Sequence, residues 1–498
     1  MAKMRNRTLP LLSKSKYMSG LQCPKLLWYE YNRKEDFPEV DATTQAIMDQ
    51  GKVVGELAQT LFPGGITLQR DPAPEKQAEK SLEAAKLRKP LFEAGFVYKQ
   101  AYALADILNP VAKDVWDLIE VKSSSGVKEE HYSDVAFQKY VYEGAGLKIR
   151  KCYLMYINNQ YVRKGKIEPK KLFATEDVTK QCDDLMPEIE ANVADMFETI
   201  RKKDVPRIKV GPHCYNPHPC PLEYICWDFL PPKDDIFCLY SGTKKAYELL
   251  ERGVLRITDI KADVNLSDKQ NIQVACHKTG TPHIDKKGIK DFLDKLEYPF
   301  YFLDFETINP AIPAYDNSRP FEAIPFQYSL YIVKNKDAKP EQHSYLAPGD
   351  KDPRAEILKQ LKILLGNSGS VIAYNATFEK TTLRHASEAY PKYQSWVASL
   401  EERIVDLLTP FRGFSYYHPD QAGSASLKNV LPVMTKSSYD DMEIAEGSMA
   451  SIEYCRVTFG ENINKEERQR VRAALEKYCD LDTKGMIEIL EELGKVCR

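Results

Sequence analysis

The stretch "DVWDLIEVKSS" (Asp114–Ser124) is a run of β-branched, aromatic and leucine residues that stops at a cluster of serines, the signature of a strand. "FVYKQAYALADIL" (Phe96–Leu108) before it and "KCYLMYIN" (Lys151–Asn158) after it have the same character. Between the last two, "DVAFQKYVYEGAGL" (Asp134–Leu147) has helical spacing and stops at glycines. The pattern predicts a mixed sheet with a helix packed on it, hence an α/β fold. Upstream, residues 40–95 are mostly helical in pattern with a turn at "FPGG" (Phe62–Gly65), and a long helical region runs on to about 205.

A second set of such elements begins near 297. Strands "YPFYFLDFET" (Tyr298–Thr307), "FQYSLYIV" (Phe326–Val333) and "SVIAYN" (Ser370–Asn375) are interleaved with helices "PRAEILKQLKILLG" (Pro353–Gly366) and "ATFEKTTLRHAS" (Ala376–Ser387). A long helix, Lys465–Leu493, closes the chain. The expected organisation is a domain over 1–230, a helical connector over 231–296 that starts at "LPPKDD" (Leu230–Asp235), and a domain over 297–498. A chain of 498 residues exceeds one hydrophobic core, which agrees with that division.

Composition narrows the function classes little. A net charge of −2 gives no global reason to bind nucleic acid, so any such binding rests on local patches. One patch precedes Glu30, where Lys3, Arg5, Arg7, Lys14, Lys16 and Lys25 occur with no acidic residue among them; a solvated terminus is the plainer account. No segment is apolar for long enough to span a bilayer and no secretory signal opens the chain, so a cytoplasmic location is expected. In that reducing setting the 11 cysteines are not a disulfide framework. Most are scattered, as small hydrophobes are, but "HCYNPHPCPLEYIC" (His213–Cys226) spaces Cys214, Cys220 and Cys226 evenly. Three thiolates make an incomplete site for a metal or an iron–sulfur cluster.

Two constellations carry chemistry. In the first, Glu120 and Lys122 alternate onto one face of a strand, expected at an edge rather than in the core, and Asp106 ends the strand before it. Two carboxylates at neighbouring strands can hold a hard divalent cation, and the lysine can orient water and offset charge at a phosphate. The plainer reading is a surface ion pair. In the second, Asp304 and Glu306 share a strand face among aromatics, Glu379 begins a helix, and Tyr478 and Asp482 lie one helical turn apart. Four carboxylates can hold two divalent ions, with Tyr478 orienting the attacking water. "YYHPDQAGSASLKNVLP" (Tyr416–Pro432) lies between them: Tyr416, Tyr417 and His418 could stack on bases, and Ser424, Ser426 and Lys428 could meet phosphates.

The first part of the chain resembles RecB-like nucleases of the PD-(D/E)XK superfamily, through "SGLQCPKLLW" (Ser19–Trp28), Asp106, "EVK" (Glu120–Lys122) and the Q-x-x-x-Y pair Gln138 and Tyr142. The resemblance implies that Gln138 and Tyr142 orient substrate or the attacking water, and that Cys23 joins Cys214, Cys220 and Cys226 on a 4Fe–4S cluster, with zinc as the rival occupant. The upstream histidine usual in that pattern is absent, and "GKVVGELA" (Gly51–Ala58) has Gly55 and Glu56 instead. The second part resembles DnaQ-like 3′–5′ exonucleases of the DEDD group, within the ribonuclease H-like fold, through "DFE" (Asp304–Glu306), "YNATFE" (Tyr374–Glu379) and "YCDLD" (Tyr478–Asp482). Glu379 replaces the aspartate usual in the second motif, and Asp406 is a spare carboxylate.

Together these imply an N-terminal PD-(D/E)XK restriction-endonuclease-like domain plus a C-terminal ribonuclease H-like domain. The implied activity is a nuclease dependent on Mg²⁺ or Mn²⁺, acting on nucleic acid with DNA favoured over RNA. No G-x-x-x-x-G-K-[ST] motif is present, so unwinding would require a helicase partner. Two other readings stay open: an inactive nucleic-acid-binding scaffold, and an RNA-processing exonuclease.

Overall fold

Strands and helices alternate along the chain, and a computed structural model describes residues 10–498 of it. Lys3, Arg5 and Arg7 of the basic patch lie outside the described residues. The chain forms two compact units: one runs up to Asp228 and takes in Pro310–Phe321, and the other comprises Phe229–Asn309 and Glu322–Arg498. Residues 231–296, set apart in the sequence as a connector, belong to the second unit. Among the described residues no helix is long and apolar enough to cross a membrane.

The first unit is a seven-stranded mixed sheet. Its strands are β1 (Leu12–Ser13), β2 (Ile66–Thr67), β3 (Leu91–Tyr98), β4 (Ala101–Ala112), β5 (Val115–Lys122), β6 (Lys148–Ile157) and β7 (Phe173–Asp177). The order is β2-β3-β4-β5-β6-β7, with β1 parallel to β4 at Ala101 and Tyr102. The run Phe96–Leu108 is not one strand. It folds back at Lys99 and Gln100, both with positive φ (42° and 68°), into a tight β3–β4 hairpin. Neither residue is the Asn or Gly that such a turn favours, so the sequence carried no turn signal there. Asp106 accordingly sits inside β4 rather than at its end. Helix Glu129–Gly144 crosses between the parallel strands β5 and β6, and Val135, Phe137, Val141 and Tyr142 on it are buried in the core beneath the sheet. The segment Pro310–Phe321 packs Ala311 against Ile107, Ile119 and Met155 of this unit. Arg163 fastens it by donating to the carbonyls of Pro313 (2.9 Å) and Ala314 (2.5 Å).

The second unit contains β8 (His283–Ile284), β9 (Phe300–Ile308), β10 (Ile324–Val333), β11 (Glu341–Leu346), β12 (Val371–Ala373), β13 (Ile404–Asp406) and β14 (Tyr416–Tyr417). Five of them form a sheet in the order β11-β10-β9-β12-β13, with β10 antiparallel to its neighbours and β12 parallel to β9 and β13. β9 is therefore central, flanked by hydrogen-bonded strands on both sides. The former connector joins this unit for a physical reason: β8 pairs with β14, and helix Asp268–Thr279 contributes a buried polar network. In that network His277 Nδ1 meets Asp234 (2.7 Å) and its Nε2 meets the Tyr417 hydroxyl (3.0 Å), which also accepts from Gln273 (3.1 Å). Tyr416 and Tyr417 are buried in this arrangement and so are closed to stacking on bases. Helix Lys465–Val496 lies across β9 and β10, held by Gln327 donating to the Leu475 carbonyl (2.9 Å) and by Ser329 bonded to Thr483 (2.5 Å).

Candidate functional site

The central strand β9 presents Asp304 and Glu306, opposite Ser329 and Gln327 of β10, toward the helix that carries Tyr478, Cys479 and Asp482. Because Gln327 and Ser329 anchor that helix, its register brings Asp482 onto the two strand acids. One carboxylate oxygen from each of Asp304, Glu306 and Asp482 lies within 4.8 Å of the others. Glu379, in the first turn of helix Thr377–Ala389, is 2% exposed, and its Oε2 has no hydrogen-bond partner among the described residues. It is close enough to feel the charge of Asp304. Four acids so placed would be costly to ionise without a compensating cation. Their pKa values record that cost: burial first, then mutual repulsion, pushes Asp304 and Glu306 well above the usual carboxylate range, and Glu379 follows. Asp482 rises to about 6 through burial, restrained by the hydroxyl of Tyr439, the charge of Lys428 and the hydroxyl of Tyr478.

The surrounding groups have separable tasks. The Tyr439 hydroxyl donates to Asp482 Oδ1 and the Cys479 thiol lies 3.4 Å from Asp304 Oδ2, so each holds one acid in place. Asp480, two residues before Asp482, points elsewhere and is bound by Tyr331 (2.8 Å) and Gln342 (2.5 Å). Asp406 is likewise occupied, accepting from the backbone of Asn375 (2.9 Å) and Leu408 (3.0 Å). Lys428 is exposed at the start of helix Leu427–Met434 and forms no ion pair within 4.0 Å among the described residues, yet its charge reaches Glu306 and Asp482. The trio with its orphaned neighbour suits hard divalent cations, which take carboxylate oxygens.

In the first unit the predicted residues also meet, but differently. Glu120 is 2% exposed on β5, a strand paired on both sides, rather than at a sheet edge. Its Oε1 accepts from Lys122 (2.8 Å) and from Lys14 (2.7 Å), and its Oε2 accepts from Gln138 (2.7 Å). Asp134 binds Lys122 (2.5 Å) and Gln138 (3.0 Å). Tyr142 is wholly buried and its hydroxyl faces Gln138 Oε1 at 3.4 Å, so it supports Gln138 rather than meeting a substrate. Asp106 Oδ2 accepts from the Val121 amide (2.8 Å), and burial with the repulsion of Glu120 pushes its pKa up to about 7. Sequence reasoning missed Lys14 and Asp134. Asp134 stands one helical turn before Gln138, a signal that was available; Lys14 makes a contact across 106 residues that no spacing announces.

Cys23, Cys214, Cys220 and Cys226 line one pocket with Leu26, Leu222 and Trp227. Cys23 sits at the junction of helices Lys14–Gln22 and Pro24–Asn32, and Gln22 ties that junction to the carbonyls of His213 (2.9 Å) and His218 (2.8 Å). The Cys220 amide donates to the Cys214 carbonyl (2.7 Å), curling the segment around the pocket. Among the described residues no three cysteine sulfurs lie within 4.8 Å of one another. A tetrahedral Zn–S₄ site, with Zn–S about 2.3 Å, needs sulfurs only about 3.8 Å apart.

Residues 301–426 match the profile of a family described as a domain of unknown function (DUF2779); the matched span holds Asp304, Glu306, Glu379 and Asp406 and stops short of Asp482. The chain is 28% identical over 233 residues to "Uncharacterized protein MG366 homolog" of Mycoplasma pneumoniae, covering 41% of this chain and 34% of that protein. It is 27% identical over 222 residues to "Uncharacterized protein MG366" of Mycoplasma genitalium, covering 40% and 33%. With "Uncharacterized protein UU173" of Ureaplasma parvum it shares 26% over 219 residues, covering 40% and 32%. The chain thus spans about a third of the length of these relatives.

Proposed function

We propose that the protein is a nuclease dependent on divalent metal whose second unit, a ribonuclease H-like domain, removes nucleotides from the 3′ end of a strand, DNA in preference to RNA. The observation that carries this reading is the convergence of Asp304, Glu306 and Asp482 within 4.8 Å, beside the buried Glu379, whose Oε2 has no hydrogen-bond partner among the described residues. Those four residues would hold Mg²⁺ or Mn²⁺, which supplies Lewis acidity toward the phosphodiester and its attacking water. The chain's own groups do the rest. Tyr478, 4% exposed beside Asp482, orients the water. Tyr439 and Cys479 fix the acids, and Lys428 meets the incoming phosphate at the rim. The first unit is read as a PD-(D/E)XK domain that holds nucleic acid, with a 4Fe–4S cluster on Cys23, Cys214, Cys220 and Cys226 stitching its first helices to its last segment.

The test is degradation of 3′-labelled single strands in Mg²⁺ and Mn²⁺, with RNA and DNA of one sequence. Asp304→Asn should cost activity on the order of 10²–10³-fold or more, since it removes charge stabilisation that serves the transition state. Wild type that leaves both substrates intact in both metals would sink the exonuclease reading and leave a binding scaffold. Faster loss of RNA than of DNA would make it an RNA-processing enzyme.

A further inference from the structure

Every carboxylate oxygen of Glu120 is already engaged. Two ammonium groups share Oε1, from Lys14 at 2.7 Å and Lys122 at 2.8 Å, and the Gln138 amide takes Oε2 at 2.7 Å. Asp134 is bound by Lys122 and Gln138 and lies 3.4 Å from Lys14. Asp106 gives Oδ2 to a backbone amide. A hard divalent ion requires several oxygens at about 2.0–2.6 Å. An oxygen with two ammonium groups within hydrogen-bond distance cannot serve it, because the ion would be repelled by both. Among the described residues, no three ligand atoms of this unit approach within 4.8 Å, in contrast to the trio of the second unit. The residues present do not fit a resident divalent ion.

Lys14 is placed by the fold. β1 pairs with β4, which fixes the residue just before the helix Lys14–Gln22. At the far end of that helix, Gln22 is bonded to the cysteine segment. The lysine side chain is 26% exposed and its partner Glu120 only 3%, so the ammonium plugs the acids from the solvent side. Burial favours neutral Lys14, but Asp134, Glu120 and Asp106 outweigh it and hold its pKa raised.

We propose that Lys14 is the built-in cation of the first unit: its ammonium stands between Glu120 and Asp134 where Mg²⁺ or Mn²⁺ would otherwise sit, and the site binds no divalent ion while Lys14 is present. Without Lys14, the three acids Asp106, Glu120 and Asp134 would face a single lysine, and the deficit would draw in a divalent cation.

The test uses full-length protein carrying Asp304→Asn and Asp482→Asn, which strips the second unit's trio. Mn²⁺ binding is followed by electron paramagnetic resonance and by the shift of the unfolding temperature. With Lys14 or Lys14→Arg in place, Mn²⁺ should leave both signals unchanged. Lys14→Ser should bind Mn²⁺ tighter by on the order of a hundredfold, and Glu120→Gln added to it should abolish the gain. Lys14→Met keeps the aliphatic stem and carries the same expectation should Lys14→Ser not fold. Mn²⁺ binding that depends on Glu120 while Lys14 is present would overturn the proposal, and so would a folded Lys14 variant that gains no Mn²⁺.

Discussion

Asp482 shows how one carboxyl records the state of its surroundings. Burial raises its pKa to about 6 although Tyr439, Lys428 and Tyr478 all pull it down. Asp304, Glu306 and Glu379 are displaced in the same direction. An acid whose folded pKa exceeds its unfolded value binds more protons when folded, so stability falls as pH rises from about 4 through about 6. For Asp482 alone the loss is on the order of 2–3 kcal/mol. Glu120 is shifted the other way: burial raises it, but Lys122 and Lys14 more than reverse that, and its contribution is constant above pH 5. Asp106 of the first unit, raised to about 7, adds to the same fall. Metal-free protein should therefore unfold at a lower temperature at pH 7 than at pH 5, and saturating Mg²⁺ should remove the share of the second unit's acids by replacing their lost protons, leaving that of Asp106. Unfolding curves in EDTA and in Mg²⁺ across that range check this; equal temperatures at both pH values in EDTA would mean the acids are neutralised by some other group. The acids themselves were legible in the sequence because alternation on a strand and a one-turn helical step fix which side chains share a face. Tyr439 was not, since it lies in an irregular segment between helices and meets Asp482 only through tertiary packing.

At the scale of elements, the helix Lys14–Gln22 joins two features that the sequence could only place side by side. Its first residue reaches Glu120, and the residue after its last is Cys23 at the cysteine pocket. The alternation of strands and helices was readable because period and composition are local. The β3–β4 hairpin was not, because Lys99 and Gln100 adopt positive φ without the residues that usually announce it. Nor was the attachment of residues 231–296 to the second unit, which depends on the long-range partners His277 and Tyr417. The cysteine pocket gives this scale its test. Anaerobically purified protein should be brown, with absorbance near ~400 nm from thiolate-to-iron charge transfer. Cys23→Ala should remove the colour and loosen the two helices that meet at Cys23, which limited proteolysis of the N-terminal region would reveal. Colourless protein holding zinc would show that the sulfurs close in to tetrahedral spacing around that ion.

Across the whole molecule, the two constellations differ in what neutralises their acids. In the second unit Glu306 and Asp482 feel the positive charge of the exposed Lys428 at a distance, whereas in the first, two lysines lie directly against Glu120. Hydrolysis that needs a divalent ion should therefore come from the second unit alone, and the form of the substrate can separate the two. A site that works inward from a 3′ end has nothing to act on in a covalently closed circle, while a nuclease of the PD-(D/E)XK type proposed for the first unit could cut within it. In Mg²⁺ the full-length protein is expected to shorten a 3′-labelled single strand and to leave closed circular plasmid intact. Asp304→Asn should abolish the shortening, and Glu120→Gln should leave its rate within about twofold, because Glu120 and Asp304 belong to separate networks whose effects should be independent. Plasmid nicking by wild type that disappears in Glu120→Gln would show a second working site, and Lys14 would then have to be a participant in cleavage rather than a substitute for its metal.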